Sequence, residues 1–282
     1  MFNIRLLIIF VASYLAFMPP VSALEKELPV ILSGSKTQGG LLIGQVDSKA
    51  KVYLGETPVK VAENGVIVLG FGRDAELAQS LTVISPSGQK HIEAINLKKR
   101  DYKIQRVNGI SKKIMSPNKK NQARSRADAT LVRKARETNS ARQDFLAGFI
   151  QPVDGPVTGV YGSQRFYNGQ PKRPHFGVDY AAPVGTPVMA PASGKVTLTH
   201  DDMFYSGGTL MVDHGLGVSS TFLHLSEILV KKGEEVEQGD IIALVGKSGR
   251  ATGAHLDWRI NWFKVRIDPQ EVLRINLIKV EL

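Results

Sequence analysis

The chain of 282 residues contains no cysteine. That excludes a disulfide framework, thiol chemistry and a lipid attached through a thioether. Long hydrophobic runs are also missing, with one exception at the start. Leu6 to Phe17 is an almost unbroken apolar stretch. As a helix it would rise only about 18 Å, short of the roughly 20 residues that a membrane span needs. Arg5 precedes it, Met18-Pro19-Pro20 breaks it, and Val21-Ser22-Ala23 supplies short residues. This pattern predicts a secretory signal peptide over residues 1–23, cleaved after Ala23, and hence a periplasmic or secreted mature protein. No sequence repeat of fixed period is present, which excludes a solenoid or propeller array.

What is present is globular in character. Hydrophobic residues make up 43% and charged residues 22% of the chain, and the length allows two domains that each bury a core. The net charge is +10 and is concentrated. Lys98 to Arg142 holds fifteen Lys or Arg against three acids, Asp101, Asp128 and Glu137. Such a band predicts an acidic partner surface. For an exported protein this means anionic lipid, cell-wall carboxylates or a wall-synthesis or wall-hydrolysis protein, and not nucleic acid. A solvated linker accounts for the band equally well.

The hydrophobic periodicity predicts a mainly β protein. Residues 24–110 read as a small β-sandwich-like module. Short apolar runs such as 41–46, 51–54, 66–69, 81–84 and 91–97 alternate with turn signals such as Asn64-Gly65 and Ser85-Pro86-Ser87-Gly88. Residues 111–148 read as a basic, largely helical linker. From Asn118 to Ala147 there is no Gly or Pro, and Leu131, Val132 and Ala135 form a thin apolar stripe. That predicts a helix ending near Gly148 that lies on a surface or bridges the domains. Residues 149–282 return to strands separated by Gly-rich turns and read as an antiparallel β domain.

The chemistry-bearing residues lie in this last part. His175 and Asp179 are four apart, His224 follows in Phe222-Leu223-His224-Leu225-Ser226, and His255 and Asp257 lie in Gly253-Ala254-His255-Leu256-Asp257-Trp258. Imidazoles and carboxylates are ligands that Zn²⁺ takes at roughly 2.0–2.2 Å, and three protein ligands with one open position make a catalytic site. Taken alone, His175 and Asp179 would pass for a surface loop pair. His214 reads as structural and His200 as exposed. Arg165 and Arg173 are either substrate contacts or plain loop residues, and Trp258 and Trp262 read as core or groove wall.

The ordered set from Gly159-Val160-Tyr161-Gly162 through the His175 and Asp213-His214-Gly215 segments to Thr252–Trp258 resembles the lysostaphin-like, or LytM-like, zinc metallopeptidases over about residues 159–269. The resemblance implies a periplasmic endopeptidase that hydrolyses the peptide cross-links of peptidoglycan. It makes His175 and Asp179 metal ligands and His224 and His255 the catalytic histidines. These would orient the attacking water and stabilise the developing oxyanion.

Position 257 departs from the family, which has His-x-His there with the second His as third ligand. Alternate strand residues share a face, so Asp257 sits on the side of His255. Its carboxylate oxygen reaches as far from Cβ as an imidazole Nδ1. As third ligand it would make a harder, more anionic site for one ion, Zn²⁺ or also Mn²⁺. The competing expectation is an inactive LytM-like regulator of another wall hydrolase. A biotinyl or lipoyl carrier, which Gly233–Ala243 resembles in part, is excluded because the chain has no Met-Lys dipeptide.

Overall fold

Strands form where the apolar runs were read, and the computed structural model describes residues 30–108 and 119–275. The expected signal segment, its cleavage point and residues 109–118, with Lys112 and Lys113 of the basic band, lie outside the described residues.

The first half carries β1 (Ile31–Gly34), β2 (Leu41–Gln45), β3 (Lys51–Leu54), β4 (Thr57–Val59), β5 (Val66–Gly70), β6 (Ala78–Ile84) and β7 (Lys90–Asn96). They make two antiparallel sheets, β1-β2-β5 and β4-β3-β6-β7. One face of β2 and β5, with Leu42, Ile67 and Leu69, packs on Val52, Leu81, Val83 and Ile95 of the second sheet. The other face, with Leu41, Ile43, Val66 and Val68, belongs to the core of the C-terminal half. This explains why β5 is buried at every position and reads as a continuous apolar run instead of an alternation. The close approach is visible at Gly70, where a Cβ would lie 2.8 Å from the Trp262 side chain.

After this module the chain adds β8 (Ile104–Val107) and the helix α1 (Lys119–Arg136). The helix is shorter than the sequence pattern predicts. It stops at Arg136, before Thr138-Asn139-Ser140, residues that favour turns and caps over helix interiors. A separate 3-10 turn, Asp144–Ala147, then ends at Gly148 with φ 83°. The thin stripe does lie on a surface: Val132 and Ala135 pack against Leu198, Met203 and Met211.

The C-terminal half contains β9 (Val157–Gly159), β10 (Gln164–Tyr167), β11 (Gln170–Pro171), β12 (Val178–Ala181), β13 (Pro187–Met189), β14 (Gly194–Met203), β15 (Gly207–Gly215), β16 (Val218–Leu225), β17 (Glu227–Ile228), β18 (Glu235–Val236), β19 (Ile241–Leu244), β20 (His255–Trp262) and β21 (Val265–Ile267). The main sheet runs β18-β14-β15-β16-β20-β12-β9, with β21 beside β20. A small sheet β13-β19-β17 covers part of its apolar face. β8 pairs parallel with β10, so the segment leaving the first module is stitched to the second.

Alternation sorts the main sheet into two chemistries. Leu210, Val212, Phe222, Leu256, Trp258, Ile260, Val178 and Tyr180 point into the core. The intervening positions carry Asp213, Ser219, Thr221, His255, Asp257, Arg259, Asn261 and Asp179. Both faces of β16 are nonetheless buried, because α1 and the strap after it cross the polar side; Ser140 Oγ donates to Asp213 Oδ2 at 2.6 Å there. The α2 turn (Pro269–Val272) is capped by Asp268, which accepts from Gln270 N at 2.9 Å and pairs with Arg100 at 2.7 Å.

The shared core makes the two halves one folding unit. Ile43→Ala should lower stability by about 2–5 kcal/mol, with the whole chain melting in one calorimetric transition before and after the change. A separate early transition of residues 30–97 would contradict this.

Candidate metal centre and its histidine pair

Strand register brings the predicted ligands together. β12 and β20 pair so that Asp179 lies directly opposite Asp257, and opposed residues of an antiparallel pair share a face. His175 stands just before β12. Its position is set by two backbone bonds, His175 N to Ser163 O and Gly162 N to His175 O, both 2.8 Å. The ligand atoms of His175, Asp179 and Asp257 all lie within 4.8 Å of one another. His175 Nε2 and Asp179 Oδ1 are 3.2 Å apart, near the spacing of about 3.4 Å expected between two donors on one tetrahedral ion. Two glycines make room for the carboxylates. A Cβ at Gly159 would lie 2.1 Å from Asp179 Oδ2, and one at Gly177 would lie 2.3 Å from Asp257 Oδ1.

These donors fit a metal on chemical grounds. Among the described residues, His175 Nε2 and Asp179 Oδ1 are buried and have no hydrogen-bond partner, which is costly unless something else satisfies them. Asp257 is 3% exposed, and its carboxylate is already engaged. Arg259 donates from Nε to Oδ1 at 2.9 Å and from Nη2 to Oδ2 at 2.5 Å. Burial alone would raise the Asp257 pKa; the charge and bonds of Arg259, with His175 and His224, hold it well below the usual carboxylate range. A carboxylate has about four lone-pair sites, and a bidentate arginine uses two, so Asp257 retains capacity toward an ion.

The sequence reading did not single out Arg259. The signal was available, since a residue two positions beyond Asp257 on a strand shares its face.

The two remaining histidines form a pair beside this cluster, with ring centroids 4.8 Å apart. His224 leaves the β16 ladder with φ 65°, a left-handed conformation unusual for a non-glycine residue. Its backbone N–H bonds Ser206 O at 2.8 Å, and its Nδ1 lies 2.8 Å from Ser248 O. A carbonyl can only accept, so Nδ1 carries the proton and Nε2 is a free acceptor. His255 is arranged alike, with Nδ1 2.9 Å from Gly253 O. Burial, with smaller contributions from His255 and Arg259, lowers the His224 pKa against the opposing pull of Ser248 O and Asp257.

His214 lies elsewhere, fully buried between Ser193 O at 2.7 Å and Ser220 Oγ at 2.8 Å. Trp258 and Trp262 are core residues. Arg165 bonds Gln105 Oε1, whereas Arg173 stacks over Phe176, next to His175, at 5.7 Å.

Comparison with known proteins agrees with this geometry. Residues 173–269 match Peptidase family M23. The peptidoglycan DD-endopeptidase ShyA of Vibrio cholerae serotype O1 is 40% identical over 104 residues, 37% of this chain and 23% of that protein. An uncharacterized metalloprotease of Haemophilus influenzae is 27% identical over 252 residues, 88% of this chain and 47% of that protein. The chain thus spans less than half the length of these curated relatives. A crystal structure from Pseudomonas aeruginosa, described as a peptidase M23, superposes with a TM-score of 0.64 at 27% identity, over 85% of this chain and 95% of that one.

Two buried neutral histidines make stability depend on pH. Both His214 and His224 have folded pKa values below 6.5, with burial the largest cause. As pH falls below 6.5 the unfolded chain takes up protons that the folded chain refuses, so stability falls with pH. Imidazole NMR titrations should give midpoints below 6.5 for both, and urea midpoints should decline from pH 7 to pH 5. A midpoint at or above 6.5 for either histidine would refute its assignment as held neutral.

Proposed function

Residues 173–269 being a Peptidase family M23 domain, we propose that this chain is a periplasmic, metal-dependent endopeptidase that hydrolyses the peptide cross-links of peptidoglycan. The observation that carries the reading is the convergence of two orphaned buried donors, His175 Nε2 and Asp179 Oδ1, with Asp257 beside the His224–His255 pair. The name of the DD-endopeptidase relative supports the substrate class.

In this reading His175, Asp179 and Asp257 hold one ion, Zn²⁺ or Mn²⁺. The ion would supply Lewis acidity and lower the pKa of its water. His224, kept neutral by burial and fixed through Nδ1, presents Nε2 as the acceptor for a proton of the attacking water. His255, less buried and also fixed through Nδ1, presents Nε2 to the same space and, when protonated, donates to the oxyanion that forms on the scissile carbonyl. Arg259 orients the Asp257 carboxylate, the outer-shell role that commonly tunes a ligand. The basic face of α1 is available to hold the enzyme on anionic wall or lipid.

One observation favours a second reading, an inactive regulator of another wall hydrolase. Arg259 grips both oxygens of Asp257, and a guanidinium that fills the need for positive charge leaves the ion less to do.

Metal content of the purified protein, with muropeptide products from isolated sacculi, separates the two. For the enzyme, stoichiometric metal and cleavage are expected. Asp257→Ala should lose both, by roughly a hundredfold or more in affinity, and Arg259→Gln should weaken metal binding by roughly tenfold. Asp257→His should keep the metal, and His255→Ala should keep it while losing cleavage. Wild-type protein without metal or cleavage that stimulates a second hydrolase would establish the regulator.

A further inference from the structure

Beyond the histidine pair and ligand cluster, the polar face of the main sheet continues into a second group of side chains that the hydrolytic reading does not use. Thr221 lies opposite Arg259, Ser219 opposite Asn261, and Asn261 opposite Arg266. All therefore share the face of Asp257. Met211, opposite Thr221, meets Ala135 of α1, so the last turn of the helix delivers Arg136 to the same place. Arg173 and Arg266 both stack over Phe176, each 5.7 Å from the ring centre.

Four guanidiniums thus face one another. Burial, then Arg259 and Arg173, pushes Arg136 down to about 9. Burial, then Arg136, Arg259 and Arg173, pushes Arg266 down to about 8. Both remain protonated at neutral pH. The acids acting on these guanidiniums are Asp257 and Asp179. Asp213 lies directly opposite Ser219 and spends its oxygens on the neutral donors Ser140 Oγ and Gly215 N, so the face as a whole sets four guanidiniums against three carboxylates and keeps a positive excess.

The polar atoms are also incomplete. Among the described residues, Arg136 Nε, Ser219 Oγ and Thr221 Oγ1 are each buried without a hydrogen-bond partner. Three donor groups, two of them hydroxyls, on one covered face beside excess positive charge suit an acceptor that carries negative charge.

We propose that Arg136, Arg173, Arg259 and Arg266, with the hydroxyls of Ser219 and Thr221, form a binding site for a small oxyanion, a carboxylate or a phosphate group. Its occupant accepts from both the helix end and the sheet, and so fastens α1 over the polar face. This site does not require the chain to be a hydrolase. A peptide carboxylate and free phosphate offer the same chemistry, and the test separates them.

Thermal melting of the full chain at pH 7 is compared in inorganic phosphate and in chloride at matched ionic strength. A parallel arm uses acetyl-D-Ala-D-Ala and its C-terminal amide. The expected result is a saturable rise of roughly 5 °C with phosphate or with the acid peptide but not the amide, together with slower amide exchange in residues 131–137. A response to the acid peptide alone identifies a peptide carboxylate, and a response to phosphate alone identifies free phosphate. Arg136→Gln and Arg266→Gln should abolish the rise. Thr221→Val, nearly equal in volume, should weaken the apparent anion affinity severalfold without lowering the melting temperature in chloride, which guards against a merely unfolded arginine variant. An absent rise in wild type for both anions would overturn the proposal. So would a rise undiminished in all three variants, since that would place the anion on the metal.

Discussion

The site depends on the register of β20 between its two neighbours. Asp257 must stand opposite Asp179 of β12 on one side and Leu223 of β16 on the other. A one-residue slip would exchange the faces. Leu256, Trp258 and Ile260 would leave the core, and His255, Asp257 and Arg259 would enter it. The apolar residues therefore hold the polar ones in place: Trp258, fully buried, fixes the register that positions the carboxylate beside it.

A polar face of this kind would ordinarily be open to water. Here the helix α1 and the strap that follows cover part of it, and the chain pairs some polar groups and leaves others bare. Asp213 has two donors, while the Thr221 and Ser219 hydroxyls have no partner among the described residues. Burying a polar atom without a partner costs about 1–3 kcal/mol. Among the described residues, and Gln45 Oε1 of the first module apart, the uncompensated side-chain atoms fall into two groups on this face, one at the His175–Asp179 cluster and one at Arg136, Ser219 and Thr221. The first group is a carboxylate oxygen and an imidazole nitrogen, and the second a guanidinium nitrogen and two hydroxyls.

Arg259 joins the two groups. It anchors Asp257 through both oxygens and adds its charge to the arginine cluster. Asp257 and Arg259 thus belong together. A neutral imidazole there could not accept a bidentate guanidinium, whereas a carboxylate can. Aspartate and arginine on the same face two residues apart form one structural feature, and the extra negative charge of a two-aspartate site is offset by its own neighbour.

Much of this was legible in the sequence. The runs at 51–54, 81–84 and 91–97 became strands because period two and turn residues act locally, and the ordered His and Asp segments carried the resemblance to a family and, with it, the mainly β fold. Other features were not legible, because they arise between segments distant in sequence. The end of α1 at Arg136, the stitching of β8 to β10, the burial of both faces of β5 and the meeting of Arg136 with Arg259 and Arg266 each depend on what packs against them. The sequence by itself determined which residues alternate and which could bind a metal. Only the tertiary structure decided that Asp257 is held by Arg259 and that a basic helix closes over the polar face, because charge pairing and burial are properties of neighbours in space and not of neighbours in the chain.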